Sequence, residues 1–161
     1  MSFRRIITPV DAVLQRVLAL LMLLLVACVT WQVVSRYLLG DPSSWTEELA
    51  RYLLVWIGLL GAAYAYGCRA HMAIDLLEGR LGKSARAVQR AVIALLVLVF
   101  ALLVSVLGGG SLVALTWELQ QVSAAMGVPM ALVYTVIPLS GLLVALYACA
   151  EINDALRSDV R

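Results

Sequence analysis

Four long stretches without a charged side chain constrain this chain more than any other feature of its sequence. They run over Val17–Ser35, Tyr52–Cys68, Ala91–Trp117 and Met126–Ala150 and hold 19, 17, 27 and 25 residues. A helix needs about 20 apolar residues to cross a hydrocarbon core of about 30 Å. Only 14% of the residues are charged, whereas soluble domains carry about 25%. The sequence therefore predicts an all-α membrane protein with four transmembrane helices in a single unit, residues 1–161.

The second stretch is short, so its helix is expected to begin before Tyr52. Gly40-Asp41-Pro42 indicates a turn. Ser44-Trp45-Thr46-Glu47 then fits a capping box, in which the serine oxygen accepts from an early backbone N–H and the glutamate bonds back to the cap. Trp45 is expected at the membrane interface, where an indole ring is half in water. We expect transmembrane helices at approximately 13–37, 44–67, 86–117 and 128–151.

Lysine and arginine residues indicate how the helices are oriented. Most of them lie in the N-terminal segment, the connection between the second and third stretches and the C-terminal tail. Arg36 and Arg51 lie between the first and second stretches together with three acidic residues, and the connection between the third and fourth stretches has no Lys or Arg. Because cytoplasmic connections carry the excess of Lys and Arg, we expect both termini and the middle connection in the cytoplasm. At approximately 71–81, apolar and charged residues interleave and predict a short amphipathic interfacial helix, with an irregular loop as the alternative.

Glycine and proline residues predict irregularities in the last two helices. Gly108-Gly109-Gly110 interrupts the third apolar stretch and indicates either a bend or a point of close packing. Pro138 lies within the fourth stretch and is expected to bend that helix, because proline has no N–H to donate.

The strongest polar cluster stands at the start of the second helix. Glu47 and Glu48 precede Arg51 by four and three residues, spacings that place either carboxylate beside the guanidinium on a helix. Arg36, at the end of the first helix, is a further partner across the connection. We interpret the cluster as a structural ion-pair network that shapes a partner-binding edge. The alternative, a carboxylate that handles protons or substrate, is less favoured because transport carboxylates are expected near the midplane.

Small residues on the second helix form another candidate contact surface. Gly58, Gly61 and Ala62 belong to small-x-x-x-small patterns, which allow helix backbones to approach closely in lipid. Gly141 and Ala145 repeat the pattern in the fourth helix. Such residues pack either within the four-helix bundle or against a separate partner, and their spacing does not decide between the two.

The polar residues do not form a recognisable catalytic or metal site. His71 and Asp75 share a helix face, but no third ligand is nearby, so a hydrogen-bonded pair is expected rather than a metal centre. Cys28, Cys68 and Cys149 form no C-x-x-C motif, and a single histidine cannot supply a bis-histidine haem site. We therefore predict no catalytic residue, no metal and no cofactor.

These observations favour a scaffold or an accessory subunit over an enzyme. The sequence shows no nucleophile beside a base, no phosphate-binding loop and no charge at the middle of a helix, and its net charge of +2 does not indicate nucleic-acid binding. The alternative is a self-sufficient four-helix exporter of cationic compounds, which would use Glu48. A thiol or quinone enzyme is a third class, disfavoured by the unpaired cysteines and single histidine.

Four short segments together carry a specific combination of motifs: Gln32–Tyr37, Ser44–Arg51, Gly61–Ala63 and His71–Asp75. The sequence W-T-E-E-x-x-R, followed by H-x-x-x-D, is the most specific part. This combination resembles the small membrane subunit of TRAP transporters, the tripartite ATP-independent periplasmic family (DctQ-like). The motifs cover the first two helices, whereas the second half of the chain matches in pattern only.

The resemblance implies a three-part importer in the bacterial inner membrane. A periplasmic substrate-binding protein captures an organic acid, a large membrane subunit carries it with sodium, and the small subunit braces the large one. We therefore expect the large TRAP membrane subunit, on a separate chain, the binding protein and membrane lipids as partners. The family motifs map onto six residues, expected in fold or interface roles: Trp45, Glu47, Glu48, Arg51, His71 and Asp75.

Overall fold

Helices account for nearly all of the described chain. The structure, a computed structural model, describes the backbone of residues 4–68 and 83–158 and the side chains of residues 7–68 and 88–155. The elements are α1 (Arg4–Tyr37), α2 (Ser44–Gly67), α3 (Lys83–Phe100), a π-helix (Ala101–Gly108), α4 (Gly109–Glu118), α5 (Met130–Tyr134) and α6 (Val136–Ser158). The predicted interfacial segment at 71–81 lies outside the described residues.

Four helical spans are long and apolar enough to cross a membrane. They cover Ile7–Tyr37, Ser44–Gly67, Val88–Glu118 and Met130–Ala155. The third span joins α3, the π-helix and α4, and the fourth joins α5 and α6. The prediction of an all-α protein with four transmembrane helices is confirmed.

The first helix contacts the bundle along one narrow seam. From Leu14 to Gln32, the residues that are not exposed recur at alternating steps of four and three: Leu14, Leu18, Leu21, Leu25, Cys28 and Gln32. A repeat of about 3.5 residues is the spacing of a left-handed coiled-coil seam. The seam faces α2, and the outward residues of α1 are mostly large and apolar, as expected of a surface in contact with hydrocarbon.

The second and fourth spans form the centre of the bundle. Leu14, Leu60 and Val136 meet in one core cluster, which joins α1, α2 and α6. Tyr66, Tyr147 and Ala148 form a second cluster towards the far end of α2. Because α6 also packs against α3 and the π-helix, it is the element that holds the first and second halves of the chain together.

Close packing between the third and fourth spans depends on two glycines. A Cβ atom on Gly109 would lie 2.7 Å from Ile137 Cγ2, and one on Gly141 would lie 2.5 Å from Ser105 Cβ. The sequence indicated either a bend or a point of close packing at Gly108-Gly109-Gly110. Close packing is found at Gly109, whereas Gly110 has open space around it. The π-helix, which widens the helical turn, was not predicted.

The fourth span is interrupted near Pro138. The interruption lies at Thr135, between α5 and α6, three residues before the proline. A proline ring clashes with the carbonyl four residues earlier, which here belongs to Tyr134. The interruption therefore lies about one turn towards the N-terminal side of the proline, and the bend expected at Pro138 stays a prediction.

The predicted capping box at Ser44 is wrong. The N-cap of α2 is Ser43, which makes no side-chain cap hydrogen bond, and Ser44 is already helical. Thr46 Oγ1 instead donates to the carbonyl oxygen of Ser43 at 2.9 Å. The carboxylate of Glu47 is unavailable for the cap because it is engaged by Arg51.

Candidate functional site

Glu48, close to the start of α2, accepts hydrogen bonds from four donors. Its Oε1 atom accepts from the hydroxyl of Tyr52 at 2.7 Å. Its Oε2 atom accepts from Ser123 Oγ at 2.8 Å and from the backbone amides of Ala125 and Met126 at 2.9 and 3.1 Å. Both carboxylate oxygens are therefore occupied, and the side chain ties α2 to the connection between α4 and α5.

The connection between α4 and α5 is shaped to present those amides. Val122 and Pro129 form an antiparallel bridge, and the amide of Ser123 donates to the carbonyl of Val128 at 2.9 Å. Gly127 completes the turn with a φ of +65°, a conformation that side chains disfavour. The turn thus directs two successive N–H groups towards one carboxylate, an arrangement typical of a backbone anion nest.

Arg51 and Glu47 form an ion pair on the outer side of α2. Arg51 Nη2 lies 2.8 Å from Glu47 Oε1, and the two side chains are 70% and 60% exposed. Glu48 was the other predicted partner of Arg51, but it accepts hydrogen bonds from Tyr52 and Ser123 instead. Arg36 forms no ion pair with Glu47 or Glu48, so the predicted network across the connection reduces to one pair.

A buried polar contact joins α1 to the start of α2. The side-chain amide of Gln32 donates to the carbonyl oxygen of Thr46 at 2.7 Å, and Cys28 Sγ donates to the same oxygen at 3.0 Å. Trp45, next to Thr46, is exposed, and its place at the membrane interface stays a prediction. Cys28 therefore has a structural role that the search for thiol motifs could not reveal.

The small residues of the two helices have different surroundings. Gly58 and Gly61 have open space where a side chain would be, and Ala62 is exposed. Gly141 and Ala145, by contrast, are buried inside the bundle. The pattern in the fourth helix is therefore used for internal packing, whereas the pattern on α2 is left on an outer face.

Tyrosine hydroxyls bond two further carboxylates at the opposite end of the bundle. Tyr147 donates to Asp11 at 2.5 Å, and Tyr66 donates to Glu151 at 3.0 Å. These four residues line a cavity of about 260 Å³. The contact between Tyr66 and Glu151 ties α6 to α2.

Some candidates cannot be placed, and some contributors were not foreseen. His71 and Asp75 lie outside the described residues. Among the residues that are described, no group of three or more His, Cys, Asp or Glu side chains is arranged to hold a metal ion.

The sequence analysis missed Tyr52 and Ser123 as partners of Glu48. Ser123 has no local sequence signal that connects it to Glu48, whereas a tyrosine four residues after a glutamate is a usable helical signal.

Comparison with known proteins identifies the family. A model of the family described as "Tripartite ATP-independent periplasmic transporters, DctQ component" matches residues 25–158. The chain is 44% identical over 66 residues to the sialic acid TRAP transporter small permease protein SiaQ of Vibrio cholerae, covering 41% of this chain and 38% of that relative. It is 28% identical over 113 residues to a putative TRAP transporter small permease protein of Haemophilus influenzae, covering 70% of this chain and 68% of that protein.

A third relative is a much longer protein. The sialic acid TRAP transporter permease protein SiaT of Haemophilus influenzae is 35% identical over 68 residues, which make up 42% of this chain but 11% of SiaT. With four apolar spans, the chain is a multi-pass protein of the bacterial inner membrane, and a transporter component rather than an enzyme. The chain belongs to the DctQ family, the small membrane component of tripartite ATP-independent periplasmic transporters.

Proposed function

We propose that this chain is the small permease subunit of a TRAP importer and braces a separate large membrane subunit. The observation that carries the proposal is the match of the DctQ family to residues 25–158. In this proposal, a periplasmic binding protein delivers an organic acid, and the large subunit carries the acid with sodium. Both termini lie in the cytoplasm, so that the α1–α2 and α4–α5 connections face the periplasm.

The bonding of the carboxylates supports a brace. Glu48, Asp11 and Glu151 all accept hydrogen bonds that join separate parts of the fold, and they lie near the ends of the bundle. A carrier carboxylate must exchange its partners during transport, whereas Glu48 is held by four donors at once. The alternative of a self-sufficient exporter that uses Glu48 is therefore disfavoured.

The outer face of α2 is proposed as the contact with the large subunit. Arg51, Val55, Gly58 and Ala62 are exposed and follow one another at helical steps of four and three. Small residues permit another helix to approach closely, and the Glu47–Arg51 pair supplies polar contacts at one end. Arg36, Trp45 and Gly61 are proposed to border this contact, and His71 and Asp75 to take fold or interface roles in the middle connection.

Purification of the tagged chain from its native membrane in a mild detergent tests the proposal. We expect a stoichiometric, larger and very hydrophobic polypeptide to accompany it, identified by mass spectrometry. Deleting the small subunit should abolish sodium-dependent uptake of labelled organic acids, with sialic acid among them, although the large subunit is still made. A chain that purifies alone, together with retained uptake in the deletion strain, contradicts the proposal.

Reconstitution separates the brace from the exporter. The purified chain alone in liposomes should transport no cationic compound. Transport by the chain alone that is lost in Glu48→Gln would instead support the exporter.

A further inference from the structure

A polar groove opens between the end of α1 and the start of α2. Its volume is about 500 Å³. Val33, Arg36 and Tyr37 of α1 line one side, and Ser43, Ser44 and Glu47 line the other. The groove lies outside the Glu48 contacts, which are made on another side of α2.

Two polar groups in the groove have no partner. Within the described part of the chain, the exposed guanidinium of Arg36 makes no hydrogen bond or ion pair. Ser43 Oγ is buried and has no hydrogen-bond partner either. The acidic residue of the lining, Glu47, is already neutralised by Arg51 at 2.8 Å. Among the residues that line the groove, Arg36 is therefore a cation without a carboxylate partner.

The groove lies at the level where two apolar spans end. Arg36 is the last residue but one of the span Ile7–Tyr37, and Ser44 begins the next span. Tyr37 and Trp45 are exposed at the same level. Aromatic side chains concentrate where the hydrocarbon core meets the lipid headgroups. A charge at the end of an apolar span is therefore expected beside headgroup phosphates.

We propose that this groove binds the phosphodiester of a phospholipid headgroup, with the Arg36 guanidinium as the main contact. A guanidinium offers a planar fork of donors that matches two phosphate oxygens. Below the groove, Val29 and Val33 are exposed on α1 and offer an apolar track to an acyl chain.

Native mass spectrometry tests the site on the full-length chain, purified with any stoichiometric partner. Phosphatidylethanolamine and phosphatidylglycerol are titrated separately, and inorganic phosphate is titrated in a parallel series. Arg36→Gln is compared with Arg16→Gln, which removes the same charge from an exposed position of the same helix outside the groove. Arg36→Lys keeps the charge but removes the fork, and circular dichroism checks that each variant is folded.

We expect the unaltered chain to retain one phospholipid at low lipid concentration. Binding should weaken about tenfold or more in Arg36→Gln, as for loss of a hydrogen bond to a charged group, and by less in Arg36→Lys. Arg16→Gln should bind as the unaltered chain does. Equal retention by Arg36→Gln, equal loss in Arg16→Gln, or binding of inorganic phosphate without retained lipid (an adventitious ion only) overturns the site. The measurement needs no transport, so its failure is distinguishable from failure of the proposed function.

Discussion

Glu47 and Glu48 point to different sides of α2, because successive residues of a helix are turned by about 100°. Glu47 faces outward and meets Arg51, while Glu48 faces the connection between α4 and α5. An exposed ion pair stabilises a fold by at most about 1 kcal/mol. The carboxylate of Glu48 instead accepts hydrogen bonds from two backbone amides and two hydroxyl groups. Removing the carboxylate would leave these four donors without their acceptor.

Glu48→Gln should therefore lower the thermal midpoint of the detergent-solubilised protein more than Glu47→Gln does. An amide retains one acceptor oxygen, so its NH₂ group must face either Tyr52 or the three donors on the other oxygen. Thermal unfolding followed by circular dichroism measures the difference. Glu47→Gln is the matched control, because it makes the same change one residue away. Equal midpoints for the two variants would contradict the importance given to the Glu48 contacts.

The partners of the two glutamates also show what a sequence can reveal about a site. Arg51 follows Glu47 by four residues, so helical spacing predicted this pair, although it predicted Glu48 as a partner of Arg51 as well. Ser123 and the amides of Ala125 and Met126 lie 75 to 78 residues from Glu48. No periodicity connects positions so distant, and the contact depends on how the helices pack. The sequence could therefore name Glu48 as a candidate but not its environment.

At the scale of elements, the lengths of the apolar stretches predicted the four membrane spans. The π-helix within the third span depends instead on how the helices pack. Proline has a local steric effect, so the interruption near Pro138 was foreseeable. The π-helix at Ala101–Gly108 has no comparable local signal. It lies against α6 where Gly141 has no side chain, and a Cβ there would also lie 3.2 Å from the carbonyl oxygen of Ala101.

Gly141→Ala should consequently destabilise the bundle by about 1–3 kcal/mol, the usual cost of overpacking. The added methyl group meets Ser105 Cβ, which cannot move without its backbone. Gly110→Ala is the control, since it has nothing within 4 Å and should be neutral or slightly stabilising. Thermal unfolding in the same detergent measures both. A Gly141→Ala midpoint no lower than that of Gly110→Ala would show that the two spans are not packed this closely.

At the scale of the whole molecule, the outer surface has two kinds of face. The outward side of α1 presents large residues such as Leu20, Leu23 and Val26, which suit contact with acyl chains. The outward side of α2 presents Gly58 and Ala62 below an ion pair. Lipid fits around either kind of surface, but only small residues let a second helix backbone approach closely. Assembly with a large subunit should thus depend on α2.

Ala62→Leu and Gly58→Leu should reduce the amount of large subunit that co-purifies with the tagged chain, because the added side chains keep a partner helix away. Ala114→Leu is the matched control, as Ala114 is also an exposed alanine on a membrane span. All three variants should keep the thermal midpoint of the isolated chain within a few degrees, since none of the three positions is buried. The ratio of large to small subunit after affinity purification is the measurement. If Ala114→Leu lowers this ratio while Ala62→Leu leaves it unchanged, the contact lies on the third span, and the scaffold would hold its partner through α4 rather than α2.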